Sequence, residues 1–338
     1  MPRAKGDFML DLLTYPDAER WLNDAIRRHS SEIYGKIKPA VVWTNALDEE
    51  GQLIVPIDPN ELSRRINRDP FIILHNHDPG NPKGQVLESA VFDDGSGVVF
   101  VAAIMGFYAG GNTIEFGSMD LNLNDVYQSP RELPDLPKEA SIELVFDPRD
   151  VSPQWIEYIS KDAPLKIRIN ESSYNDAQTT HELISIGIGY LAIVWNPFVT
   201  AVASEAGKKT YTAFHNWISK LFNELSERKN PIINIVSHQS GCQIFFILRG
   251  KDVKQHYAAH RMLSSAGVQA VELIRKLKEQ DKVPTQLTYE WDKEAQLWYP
   301  SYTVLTDKSI IVDRGTLIAI EQLPKGLSLG FSKVNSKT

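Results

Sequence analysis

GQLIVPIDPNELSRRINRDPFIILHNHDPGNPKGQV, residues 51–86, changes its period several times within one run. Residues 52–55, QLIV, read as a strand that stops at Pro56. Residues 59–67 read as a short amphipathic helix, with Leu62 and Ile66 one turn apart on its apolar face. Residues 70–75, PFIILH, are again an apolar strand. After it, Asp78, Pro79, Gly80, Asn81 and Pro82 predict a tight, solvent-facing loop. His75 and His77 stand two apart at the strand end, so a strand's alternation puts them on one face. An imidazole on a strand rim is suited to proton transfer, because it titrates near neutrality. It is equally suited to hydrogen-bonding the loop beside it, and chemistry alone leaves both roles open.

Outward from this run the elements are mixed. The stretch 15–35 opens with a helix that Asp17 can cap, with Ala18, Trp21, Leu22, Ala25 and Ile26 at helical spacing. Residues 39–44 form a strand. Strands at 84–92 and 97–108 flank Asp93-Asp94-Gly95-Ser96-Gly97, a hairpin turn. Pro130, Pro134 and Pro137 make the next stretch irregular, and 140–146, ASIELVF, resumes as a strand. The polar stretch 171–180 reads as a linker. Residues 183–203 carry no charge, a length that could span a bilayer. Gly187, Gly189, Asn196 and Pro197 interrupt this stretch, which points to two short helices, buried or in contact with a membrane. An amphipathic helix follows at about 205–226, with Tyr211, Phe214, Trp217, Ile218, Leu221 and Leu225 as its stripe. Strands at 231–237 and 242–249, a long helix at about 252–279, and strands at 285–291, 297–305 and 309–313 close the pattern. The expected fold class is α+β. Its expected parts are a mostly-β domain over 1–172, an apolar and amphipathic helical connector over 173–229, and a ββαββ-like α+β domain over 230–338.

Composition narrows the function classes. The chain has 338 residues, 42% hydrophobic and 23% charged, which is ordinary for a globular protein and long enough for two cores. A net charge of −7 disfavours general nucleic-acid binding, which needs clustered Lys and Arg. The single cysteine, Cys242, excludes an internal disulfide and a cysteine-rich zinc site, and its apolar run CQIFFIL predicts a buried, inert thiol. The opening MPRAKGDFML has no long apolar core, so no signal peptide is expected and the expected compartment is cytoplasmic.

The order of features in residues 38–150 resembles that of the prohead (capsid maturation) proteases of tailed phages. The features are Ile54-Val55-Pro56, a short helix with Leu62, a strand ending in Asn76-His77-Asp78-Pro79, then Pro82-Lys83-Gly84-Gln85-Val86 and a β-hairpin. The resemblance implies a serine peptidase related in fold to herpesvirus assembly proteases, with His77 as the catalytic histidine. A serine hydroxyl needs such a base, because alone it is a weak nucleophile near neutral pH. The family's serine motif falls best on Ala140-Ser141-Ile142-Glu143, which makes Ser141 the candidate nucleophile; Ser118 and Ser328 are rivals. His75 is the candidate third member, with Glu115 behind it. Glu143 stands where the family carries glycine, and the prolines at 130–137 replace its helix. The implied role is self-processing or cleavage of one protein partner. The alternative is an inactive scaffold or membrane-associated interaction protein of the same fold, and whether copies associate is left open.

A second resemblance is to JAMM metalloproteases. His75 and His77 would be zinc ligands with Glu88, and Glu32 in Glu32-Ile33-Tyr34-Gly35 would be the base. Gln85 stands where that family has serine, and no cofactor or metal is expected on the leading reading. In the C-terminal part, His256 and His260 share a helix face expected to be solvated, and Trp291, Trp298, Tyr299 and Pro300 mark a hairpin or sheet edge. That part reads as a ligand- or partner-binding module, with no glycine-rich nucleotide loop.

Overall fold

The computed structural model describes residues 12–47, 50–68, 71–75, 78–119, 141–171, 182–188, 205–228 and 231–313. The protein is mixed α+β and divides into two compact units. The first takes residues 1–75, 81–113 and 317–338, and the second takes 76–80 and 114–316.

In the first unit, helix α1 (Pro16–His29) presents Ala18, Leu22 and Ala25 to its core, as its spacing predicts. It starts two residues earlier than an Asp17 cap implies. Tyr15 precedes the helix, Pro16 fills its first position, and Asp17 lies inside the first turn, where a carboxylate suits the helix dipole. The helix ends at His29, with Ser30 after it in an extended conformation. Further on, Gly35 passes as bare backbone, since a Cβ there would lie 2.1 Å from the carbonyl oxygen of Ala109. Strands β1 (Lys36–Thr44), β2 (Phe71–His75), β3 (Asp78–Asp93) and β4 (Val99–Phe107) form a sheet in the order β1-β4-β3-β2. Helix α2 (Pro59–Arg68) covers it with Ile66 and Leu62 against Ile73, Val86, Ala103 and Met105. A bulge at Leu87 interrupts the register of β3 with β4, so that Val86 and Leu87 are buried in succession. The hairpin at 93–97 forms as expected: Asp93 accepts from the Gly95 amide and Asp94 from the Ser96 amide, each at 2.8 Å. Residues 52–55 are not a strand. They form one isolated bridge, Leu47–Leu53, and the Val55 carbonyl accepts the Trp43 indole N–H at 2.9 Å.

The second unit is built on a nine-stranded sheet. Its strands are β5 (Ile114–Glu115), β6 (Ser141–Phe146), β7 (Lys166–Glu171), β8 (Glu182–Ile188), β9 (Pro231–Gln239), β10 (Cys242–Arg249), β11 (Pro284–Asp292), β12 (Leu297–Leu305) and β13 (Ile310–Val312). The order is β5-β13-β12-β11-β10-β9-β8-β6-β7. This sheet takes strands from both sides of residues 172 and 230, where the sequence reading places its boundaries. The apolar stretch beginning at 183 opens as a strand, not as a helix. β8 pairs with β6 on one side and β9 on the other, and Ile184 and Ile186, two apart, are both buried. Its remainder, 189–203, lies outside the described residues. Among the described residues, no helix is long and apolar enough to cross a membrane.

Among the described residues, helices α3 (Pro153–Ser160), α4 (Glu205–Leu225) and α5 (Val253–Glu279) share a core with this sheet. Helix α5 joins β10 to β11, which are parallel and therefore need such a crossover. Helix α4 sits on α5 and α3, with Phe214, Trp217, Ile218, Leu221 and Leu225 all buried. Indole N–H groups fix two of these packings: Trp217 donates to the Ile159 carbonyl at 2.8 Å and Trp298 to the Ala259 carbonyl at 2.9 Å. Cys242 is buried, and burial pushes its thiol up to about 12, out of the range of a reactive thiolate.

Candidate functional site

The residues singled out by sequence are distributed over both sheets. His75 closes β2 in the first unit. His77 and Ser328 lie outside the described residues. Ser141 opens β6 in the second unit, half-buried, and its hydroxyl has no hydrogen bond to a described residue. Ser118 is exposed in a 3-10 turn, Phe116–Ser118, and donates to the carbonyl of Glu115 at 2.7 Å. Glu115 itself belongs to β5.

The ladders show how far Ser141 stands from the other end of its sheet. Glu143 pairs with Gly187, Gly187 with Val236, and Val236 with Phe245. Ser141 is therefore level with Gln243 on β10, and Arg249 lies six residues further on. At the usual rise of a strand that is about 20 Å along the sheet, with β8 and β9 between.

Arg249 matters because it holds Asp78. The segment after His77 is not the expected tight, exposed loop. Asp78, Pro79 and Gly80 are extended and buried as the start of β3, and Asp78 is only 4% exposed. Proline's fixed φ suits an extended chain as well as a turn, and the buried carboxylate has a partner. Arg249 Nη2 donates to Asp78 Oδ1 at 2.7 Å and Nη1 to Oδ2, a two-pronged pair. The same guanidinium donates through Nε and Nη2 to Glu290 at 3.0 and 3.1 Å. Burial alone would depress the pKa of Arg249, but the hydrogen bonds to Asp78 and Glu290 more than offset it and pull the value up. Gly80 makes room for this triad, since a Cβ there would lie 2.0 Å from Glu290 Oε1. Tyr302, fully buried, donates its hydroxyl to the Pro79 carbonyl at 2.8 Å and accepts from Gln286 Nε2 at 2.7 Å.

A cleft of about 1070 Å³ opens beside the triad, at the carboxyl ends of β10 and β11 and the start of α5. Parallel strands joined by a helix leave such a crevice at their carboxyl ends, and ligands commonly use it. Its lining includes Arg249, Glu290, His256, Trp291, Tyr299 and Asp313. Asp252 caps α5, accepting from the amides of Lys254 and Gln255. His256 and His260 correct the sequence reading: their helix face is not solvated but 1% and 4% exposed. The cause is α4, whose Phe222 ring lies 5.2 Å from His256 and 5.9 Å from His260. Both nitrogens of His256 are buried, with the Gly250 and Arg249 carbonyls close by but no hydrogen bond of good geometry among the described residues. Burial holds its pKa below the usual histidine range, against the pull of the nearby Gly250 and Arg249 carbonyls and of Asp252.

The residues of the zinc alternative have other partners. Glu88 accepts from Arg28 Nη2 at 2.7 Å and bonds His29 Nε2 at 2.9 Å, while Glu32 accepts from Asn112 Nδ2 at 3.0 Å. Among the described residues no group of three or more His, Cys, Asp or Glu side chains could hold a metal ion. No family model matches the chain, and no curated protein or solved structure matches it.

Proposed function

We propose that the chain is a binding module whose working surface is the cleft at the carboxyl ends of β10 and β11. The observation that carries this reading is the placement of Asp78. It belongs to the very motif that suggests a peptidase, yet its buried carboxylate forms an ion pair with Arg249 on the rim of the cleft. The motif thus serves to build a binding surface, and an interaction protein for a small molecule or a protein partner accounts for it without a nucleophile. This is the inactive-relative alternative given a location.

The second reading is a prohead-protease-like serine peptidase that processes itself or one partner. The run Asn76-His77-Asp78-Pro79, with Ile54-Val55-Pro56 before it, favours that reading. One experiment separates the two. Intact protein is treated with a fluorophosphonate, which attaches to an activated serine, and weighed by mass spectrometry. The binding reading expects no adduct. A stoichiometric adduct that disappears in Ser141→Ala would replace it with the peptidase reading.

A further inference from the structure

The first unit carries an apolar surface that its own core leaves open. A pocket of about 450 Å³ is lined by Trp43, Leu53, Pro56, Ile57, Pro59 and Val99. Leu47 pairs with Leu53 across the isolated bridge, and Ile54 follows it in the chain. Leu47 is 57% exposed, Leu53 36% and Ile54 50%, and clustered apolar exposure of this kind marks an interaction surface. The backbone beneath is held in place. The Ile54 amide donates to the Ala46 carbonyl at 3.1 Å, the Trp43 indole to the Val55 carbonyl at 2.9 Å, and Pro56 and Pro59 fix their own φ. A surface set before binding loses little conformational entropy when a partner arrives.

Charge selects the partner. Residues 44–58 contain Asp48, Glu49, Glu50 and Asp58 and no Lys, Arg or His. Asn45, also in the pocket lining, bonds the Gly97 carbonyl at 2.9 Å and the Val99 amide at 3.1 Å, and so brings in the hairpin at 93–97, which adds Asp93 and Asp94 and no base. Asp58 and Asp94 accept from amides of their own turns, but a neutral donor leaves the negative charge in place. Hydrogen bonds from Ser96 in fact hold the Asp94 carboxyl below the usual carboxylate range. The next basic residues along the chain, Arg64 and Arg65, bond Glu61 of their own helix. An anionic membrane is repelled by such a surface, and a two-fold pairing with a second copy would set the same carboxylates face to face. We propose that this surface docks a short basic segment of a partner protein, one that places a large apolar side chain in the pocket between flanking lysines or arginines.

The test is fluorescence polarisation with the full chain at low salt and three labelled peptides: Lys-Arg-Leu-Trp-Lys-Arg, Lys-Arg-Gly-Ser-Lys-Arg and Glu-Asp-Leu-Trp-Glu-Asp. The expected result is a Kd below about 100 μM for the first, with the other two weaker by about tenfold or more. Leu47→Ser combined with Ile54→Ser changes exposed positions only and should weaken the first peptide about tenfold. Matched thermal melting shows that the variant is folded, and salt at about 0.5 M should weaken the same peptide in the wild type. No polarisation change with the first peptide up to about 1 mM overturns the inference, and so does unchanged binding in the double variant. Equal binding of the Gly-Ser peptide would overturn the apolar anchor, and equal binding of the acidic peptide would overturn the charge class. Wild-type dimers that the double variant dissociates would give the surface to a second copy instead. Sedimentation of the chain with vesicles containing phosphatidylserine would give it to a membrane, and either result overturns the proposal.

Discussion

At the scale of single residues, Asp78 shows why a motif can be read correctly as letters and still mislead about its setting. An Asp-Pro-Gly-Asn-Pro run is turn chemistry by every local rule. The structure makes it a buried strand because Arg249, 171 positions away, supplies a two-pronged partner. Removing Asp78 takes two charge-assisted hydrogen bonds from Arg249 but leaves it Glu290 as a partner, at a cost of about 2 kcal/mol. Asp78→Ala is therefore expected to lower the unfolding free energy measured by denaturant titration by that much, with the Arg249→Met, Asp78→Leu pair recovering part of the loss. A change below about 0.5 kcal/mol in Asp78→Ala would show that the pair does not hold the strand.

Glu88 is the second residue with a measurable consequence. Burial pushes its pKa up, but the hydrogen bonds from His29 and Arg28 outweigh burial and hold it below the usual carboxylate value. A carboxyl whose folded pKa is depressed adds stability above its unfolded pKa and loses it as pH falls through the folded value. Denaturation of the wild type and Glu88→Gln should differ by on the order of 1 kcal/mol at pH 7. That difference should shrink below about pH 4, the unfolded carboxylate range. A gap that stays constant to pH 3 would remove Glu88 from the account.

At the scale of elements, the sequence was most legible where one period ran undisturbed. α2, β10 and α5 fall within a residue or two of their expected bounds, because each buries one face against the sheet it covers or belongs to. Of the expected stripe on α4, Phe214, Trp217, Ile218, Leu221 and Leu225 are likewise buried, and the side chain of Tyr211 lies outside the described ones. Legibility failed where an apolar run had no polar face to set its period. Residues 183–188 could have been helix or strand on hydrophobicity alone, and pairing with β6 and β9 decided for strand. His256 and His260 failed for a related reason. Their spacing gives a helix face, but whether water or α4 meets that face is not written in α5.

At the scale of the whole molecule, β8 makes one sheet of strands that the sequence divides among three segments. A fragment of residues 230–338 would leave β9 as an unprotected edge and strip α4 and β8 from a shared core that includes Ile233, Ile235 and Leu263. Such a fragment is expected to lack a cooperative thermal transition and to give poorly dispersed amide NMR signals. A sharp transition with native-like dispersion would show that this segment folds without the rest.

The candidate site divides in the same way. The sequence by itself determined the α+β class, most helices and strands, the inert cysteine and the suspicion that the residues around His77 matter. Those depend on local period, turn chemistry and composition, which each segment carries within itself. Only the tertiary structure decided that Asp78 meets Arg249 and Glu290, that His256 is buried, and that a cleft opens between β10, β11 and α5. Those facts depend on partners far apart in the chain, and a charge or imidazole acquires its role from the neighbour that folding brings to it.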